Sequence, residues 1–202
     1  ADDQKSDKTD NLENNIEDNE RKMVDVIIPT YRPAKEFGEL LHRLEKQEYR
    51  PNRILVMNTG KEYWNSEWEN YPLLEVHHLD QKDFDHGGTR KRAAELSTSD
   101  IMVFMTQDAL PADRKMIGNL VRAVSRNSGT GAAYARQLPK ADCRFLERYT
   151  RSFNYPEQSS VKSLPDVETY GIKTYFCSNV CAAYDREIYQ TSSGSGECRG
   201  YR

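Results

Sequence analysis

Along this chain, short unbroken apolar runs alternate with stretches in which apolar residues recur every third or fourth position, which predicts strands alternating with helices. The first run, 24–28, is polar only at Asp25 and is expected to stop at Pro29. Phe37, Leu40, Leu41 and Leu44 follow at helical spacing and predict an amphipathic helix over 34–47. A second strand over 53–57 runs into Asn58-Thr59-Gly60, a turn signal, and a third covers 74–79 beyond a tryptophan-containing loop. His86-Gly87-Gly88-Thr89 precedes a short helix carrying Ala93, Ala94 and Leu96. The run 101–105 is uniformly apolar, as expected of a central parallel strand buried on both faces. Met116, Ile117, Leu120, Val121 and Val124 share one helix face, and 131–138 resembles a fifth strand. The pattern predicts an α/β fold with a doubly wound, mostly parallel sheet. Beyond 138 the pattern loosens: a basic helix over 143–153, a loop over 154–170, and an apolar return over 174–184 around Ser178-Asn179.

Charge and composition refine this picture at the ends. Residues 1–22 hold eight acidic and four basic side chains with only Leu12 and Ile16 as large apolar ones, so this stretch is expected to be a disordered acidic tail. It lacks the basic and apolar regions of a signal peptide. Residues 191–202 show no period and are expected to be unstructured, leaving one domain over 23–190. A net charge of −3 argues against nucleic-acid binding through phosphate contacts. No apolar run approaches the roughly 20 residues a membrane span needs, so a soluble, cytoplasmic protein is expected. Cys143, Cys177, Cys181 and Cys198 form no CxxC pair, and are expected to be small reduced core residues rather than zinc ligands.

Candidate chemistry gathers where strands end. Asp108 lies just past the carboxyl end of 101–105, where open α/β sheets bind ligands; the alternative is a cap for a helix starting near Ala112. Pro29-Thr30-Tyr31 closes the first strand with neither a GxGxxG nor a GxxxxGK phosphate turn. Asp85-His86-Gly87-Gly88-Thr89-Arg90 stands before a helix expected to begin with Arg90-Lys91-Arg92, a place where backbone N–H groups could receive a diphosphate. A solvated basic face would have the same composition. Mg²⁺ commonly takes one or two carboxylates together with phosphate oxygens, so Asp108 and this loop together describe a metal–diphosphate site.

Four segments then carry a resemblance. VDVIIPTYRP at 24–33, DFDHGGTR at 83–90, MTQDALP at 105–111 and FCSNVCAAYDREIY at 176–189 resemble the family 2 glycosyltransferases of the GT-A fold, in their rhamnosyltransferase-like branch. The resemblance covers about residues 23–190. It implies a Rossmann-like nucleotide-diphospho-sugar transferase fold and inverting transfer of a sugar, rhamnose from dTDP-rhamnose, to a glycan or lipid-linked glycan acceptor. It further implies that Pro29, Thr30, Tyr31 and Asn58 line the nucleotide pocket and that His86, Gly87, Gly88 and Arg90 meet the diphosphate. Asp108 would hold Mg²⁺ or Mn²⁺, and Ser178 and Asn179 would lie near the sugar. The enzyme would work in the cytoplasm, meeting the inner face of the membrane through its acceptor. The family's asparagine after the arginine is Lys91 here. More consequentially, the match stops near Gln190, before the GGF-like turn and the Glu-Asp pair that supplies the general base. The chain therefore reads as a donor-binding part, incomplete at its C-terminus, with no residue matching the base and Asp142, Asp166 and Asp185 as substitutes to examine. Two alternatives stay open: a non-catalytic nucleotide-sugar-binding remnant, and a sugar-nucleotide pyrophosphorylase, which would need a Gly-rich turn directly after the first strand.

Overall fold

The computed structural model describes residues 21–126, 129–139 and 143–194. Six strands form one sheet in the order β3-β2-β1-β4-β6-β5: β1 (Val24–Tyr31), β2 (Arg53–Thr59), β3 (Leu74–Leu79), β4 (Ile101–Met105), β5 (Ala132–Tyr134) and β6 (Cys181–Asp185). β1 pairs in parallel with both β2 and β4, and β2 with β3; β6 runs antiparallel between β4 and β5. Five strands thus share one direction, as the alternating pattern predicts.

Helices α1 (Glu36–Glu45) and α3 (Met116–Ser125) cover one face and α2 (His86–Leu96) the other. Strand parity sorts the core accordingly. Val24, Val26 and Ile28 pack with Phe37, Leu40, Leu44, Ile117 and Leu120, whereas Ile27, Leu55, Met57 and Phe104 pack with Ala93 and Ala94. Phe37, Trp64 and Trp68 meet edge-to-face with centroids 5.0–5.8 Å apart, so the loop after β2 closes over α1.

Several boundaries differ from expectation. β1 runs through Pro29 to Tyr31. Asn52 N–H donates to the Val24 carbonyl, so even-numbered residues of β1 bond towards β2 and Pro29 faces β4, where pairing has already ended at Ile27. A missing N–H costs nothing there. α2 starts at His86, because Asp85 caps it with its carboxylate 2.5 Å from Gly88 N; Arg90–Arg92 therefore lie one turn further in. β5 spans only three residues, and α6 (Arg186–Gly194) continues past residue 190, with Thr191 and Ser192 hydroxyls donating to the Glu187 and Ile188 carbonyls. Residues 154–170 are not wholly loop, since a 3₁₀ turn at Leu164–Asp166 leads into α5 (Val167–Tyr170). The basic helix is α4 (Phe145–Asn154). Residues 1–20, 195–202 and Asp142 lie outside the described residues.

At the amino end of the sheet, Asp25 has no exposed surface and accepts from Arg53 at 2.8 Å and Ser97 at 2.8 Å. Burial pushes its carboxyl pKa up, but the Arg53 and Ser97 hydrogen bonds and the guanidinium charge outweigh that and hold it below the usual carboxylate range. Arg53 also pairs with Glu75 at 2.7 Å, tying β1, β2 and β3 together. This end of the sheet is structural, and the opposite end carries the candidate site.

Candidate functional site

β2 and β3 lie on one side of β1 and β4 on the other, so the crevice expected in a doubly wound sheet opens between the carboxyl ends of β1 and β4. Gln107 bridges it. Its Oε1 accepts from Tyr31 N at 2.8 Å, and its Nε2 donates to Tyr31 O at 3.1 Å. The side-chain amide thereby continues the ladder beyond the last backbone pair, and fixes the Asp108 turn beside Tyr31. Thr106 N in turn donates to Val180 O at 3.0 Å, joining the β4 exit to the Ser178-Asn179 segment. Hydrogen bonds thus bring three of the four segments singled out in the sequence to one edge.

Thr30, Asn58 and His78 form a row across β1, β2 and β3, where they are paired in register. Thr30 Oγ1 donates to Asn58 Oδ1 at 2.9 Å, and Asn58 Nδ2 lies 3.0 Å from His78 Nδ1 and 3.3 Å from Gly60 O. An amide nitrogen can only donate, so His78 Nδ1 accepts and the ring is neutral with its proton on Nε2. Burial, aided by the Lys61 charge, lowers the His78 pKa. Asn58 has no exposed surface, so it acts by aligning its neighbours rather than by offering an amide to a ligand.

Tyr31 is exposed and meets Tyr63 edge-to-face at 6.3 Å. Arg32, in the left-handed region at φ 47°, places its guanidinium 5.1 Å from the Tyr31 ring and 4.4 Å from the Tyr63 ring, and donates to Tyr63 Oη at 2.8 Å. An arginine held there against its backbone preference supplies a planar cation beside two aromatic rings. Pro29 is half-buried in the strand beneath them.

The α2 start differs from the empty phosphate cradle expected from the sequence. The Asp85 carboxylate already takes Gly88 N, and a Cβ on Gly88 would come within 2.8 Å of it, so this glycine serves the cap. Gly87 is open, since a Cβ there would meet only an Asp85 oxygen, at 3.7 Å, and His86 is exposed against Phe84 at 4.8 Å. Arg90 donates to His86 O at 3.2 Å and keeps a buried Nε without a partner. Its charge acts on the Tyr184 hydroxyl, which burial holds above its ordinary pKa and which donates to Asn179 Oδ1 at 2.7 Å.

Ser178 is buried, accepting from Gln137 Nε2 and Tyr155 Oη, both at 2.9 Å. Arg151 donates to Gln137 Oε1 at 2.8 Å and completes that network. Ser178 therefore organises the wall, and Asn179 is the exposed member of the pair. Asp108 is exposed and does not cap α3, which starts only at Met116. No group of three or more His, Cys, Asp or Glu side chains that could hold a metal occurs among the described residues. A cation here would take Asp108 and complete its shell from phosphate oxygens and water, a donor set that suits Mg²⁺.

Gln107, Arg32, Tyr63, His78, Asp85, Gln137 and Tyr155 were not singled out by sequence reasoning as site residues. Asp85 figured in the sequence only as the first residue of the 85–90 segment, not as a cap.

A family model for Glycosyl transferase family 2 matches residues 25–192. The chain is 38% identical over 181 residues to the O-antigen chain rhamnosyltransferase RfbN of Salmonella typhimurium, covering 86% of this chain and 56% of that protein. It is 30% identical over 174 residues to the O-antigen chain rhamnosyltransferase WbaN of Salmonella anatum, covering 85% and 55%. The chain thus spans a little over half the length of these relatives. Among solved structures, the mannosyltransferase PcManGT from Pyrobaculum calidifontis, in complex with GDP-Man and Mn²⁺, superposes with TM-score 0.58 at 19% identity, over 86% of this chain and 47% of that one. TarS 1–349 of S. aureus does so with TM-score 0.59 at 16% identity, over 85% and 49%. These likenesses establish the GT-A fold. The family match runs from β1 into α6 and takes in every segment gathered at the crevice: the chain belongs to glycosyl transferase family 2.

Proposed function

We propose that this chain is the donor-binding part of an inverting glycosyltransferase that takes a nucleotide sugar, dTDP-rhamnose, and serves transfer to a hydroxyl of a glycan or lipid-linked glycan. The observation that carries this reading is the hydrogen-bonded convergence of the 29–31, 106–108 and 178–180 segments at the β1/β4 crevice. Tyr31, with Arg32 and Tyr63 beside it, offers the aromatic and cationic surface a base needs. Asp108 would hold a divalent cation, Mg²⁺ or Mn²⁺, which when bound stabilises the departing diphosphate. Arg90 contributes positive charge to the same group. Because Asp85 already fills the helix start, the diphosphate meets the Arg90 side chain in preference to the free N–H groups first expected. Asn179 faces the sugar, with Ser178 holding the wall behind it. The setting is cytoplasmic, with the acceptor bringing the protein to the membrane.

The test is calorimetric titration with dTDP in the presence of Mg²⁺ or Mn²⁺, and again with chelator. Asp108→Ala should weaken the metal-dependent binding at least ~10-fold, about 1.4 kcal/mol, while Arg90→Ala weakens binding without altering its metal dependence. Affinity unchanged by Asp108→Ala and by chelator would remove the metal role.

A second reading, binding without efficient transfer, has its own support. Asp185 caps α6 through Ile188 N, and Asp166 caps a 3₁₀ turn through Ser163, so both described substitute carboxylates are committed locally. General-base assistance contributes roughly 10²–10⁴-fold to such reactions, and no residue of this chain matches the family's base. Labelled dTDP-rhamnose with a pooled glycan acceptor distinguishes the two: robust transfer by this chain would place a base within it. The pyrophosphorylase alternative has no comparable support, since β1 continues through Pro29-Thr30-Tyr31 without a Gly-rich turn.

A further inference from the structure

α4 is amphipathic, but it is turned the wrong way round for a core helix. Phe145, Leu146, Tyr149 and Phe153 fall within about 100° of arc on a helix of 3.6 residues per turn. They are 83%, 72%, 59% and 58% exposed, and no residue of α4 is buried. The polar side faces the body instead. Arg151 reaches Gln137, Glu147 pairs with Arg151 at 3.0 Å, and the two line an open cleft of about 530 Å³ with Gln137 and Tyr155, with Leu146 at the margin between cleft and stripe. The apolar stripe continues beyond the helix, because Lys173 Nζ sits 3.7 Å over the Phe153 ring and its neighbour Ile172 is 83% exposed.

Charge decides what this surface fits. Arg151 and Glu147 pair on the cleft side and cancel, which leaves Arg144 and Arg148 to give the helix and its N-cap a charge of +2 on a chain whose net charge is −3. Lys173 adds a further cation at the Phe153 end. Two copies meeting through this face would bring their arginine rims together, which electrostatics opposes. A sheet of anionic headgroups over an acyl layer satisfies both the aromatic stripe and its cationic border.

We infer that α4 and the adjoining Ile172–Lys173 turn form an interfacial docking surface for an anionic lipid bilayer. The helix lies in the plane of the headgroups with Phe145, Tyr149 and Phe153 inserted. This contact is direct and does not depend on the acceptor or on the nucleotide site, so it can hold whether or not the proposed function does.

The experiment is co-sedimentation of the full chain with phosphatidylcholine vesicles, with and without phosphatidylglycerol. The expected result is binding to the anionic vesicles that weakens as salt rises, and much weaker binding to the neutral ones. Phe145→Ser with Phe153→Ser should reduce binding at least ~10-fold, a loss of about 1.4 kcal/mol. Both positions are exposed, and unchanged circular dichroism and thermal unfolding would show the variant folded. A separate Arg144→Glu chain should lose binding to anionic vesicles selectively. No binding to anionic vesicles, binding indifferent to the double substitution, or equal binding to neutral and anionic vesicles would each overturn the proposal. So would a self-association in sedimentation velocity that the double substitution abolishes while vesicles are left unbound, since the face would then belong to a second copy.

Discussion

Phe37 and Phe145 are both aromatic residues near the start of a helix, yet one is sealed between Trp64 and Trp68 and the other stands 83% exposed. The contrast extends to the regions around them. From β1 to α3 the helices turn apolar faces inward and the two cores close against both sides of the sheet. From β5 to α5 the balance shifts: polar contacts such as Gln137 with Tyr155 and Arg151 stand beside the Tyr134–Tyr155 ring contact, and α4 turns its apolar side chains out. The first region is held mainly by burial, and the second adds directional hydrogen bonds around Ser178 to a small aromatic cluster. Stability and exposed recognition surface are therefore segregated along the chain, and the candidate site lies on the seam between them.

Paired substitutions measure that segregation directly. Phe37→Ala should cost about 3–5 kcal/mol in denaturant unfolding, because it opens a cavity under the tryptophan loop. A cost below about 1 kcal/mol would mean that the first region relaxes as readily as the second. Asp25→Ala should cost about 3 kcal/mol by leaving Arg53 without its main partner in a partly buried setting. Its pH dependence has a definite sign. The folded pKa is depressed, so the contribution is complete above the ordinary aspartate value and fades as pH falls through the lowered one. The stability gap between the native chain and Asp25→Asn should accordingly narrow only below about pH 4. A gap that instead widens on acidification contradicts the assignment.

In the second region, Tyr155→Phe removes a donor from Ser178 and should cost about 1–3 kcal/mol, read as faster amide exchange in 134–137 and 178–180. Exchange that spreads evenly through β1 and β2 would show the two regions to be one cooperative unit. At the seam, Gly88→Ala should cost about 1 kcal/mol by pushing Asp85 out of its cap. Helix loss without any thermal destabilisation would argue against that cap. The smallest effect belongs to Phe145→Ala, expected within about 0.5 kcal/mol of the native chain.

How much the sequence revealed follows the same division. β4 comes out at its full extent because an unbroken apolar run signals a buried strand, β3 does so although half its residues are polar and none is buried, and the α1 and α3 faces are legible because their partners are simply the sheet. Pro29 misleads because its harmlessness depends on where β4 stops pairing, a fact of the sheet rather than of the run. The glycines at 87–88 read as a loop because the Asp85 cap that draws them into α2 is made by geometry. At the site, single residues announce themselves as Asp108 does, but pairs separated by 76 residues, like Tyr31 and Gln107, leave no local trace. The outward stripe of α4 shows ordinary helical periodicity, and periodicity is silent about which face is inside.

The Thr30–Asn58–His78 row has a direction. Thr30 gives its proton to Asn58, and Asn58 gives one to His78, with the Gly60 carbonyl fastening the same amide. Turning the amide over would set its oxygen against that carbonyl, so the row cannot reverse as a unit. Acid must break it rather than flip it, and the depressed His78 pKa postpones that event to below the ordinary histidine range. Imidazole nitrogen shifts in NMR would report a proton on Nδ1 at neutral pH if this were wrong. Thr30 is thereby left with lone pairs and no proton to give, and at 2% exposure it meets the interior rather than a ligand, so any buried neighbour or water that pairs with it has to bring the hydrogen itself.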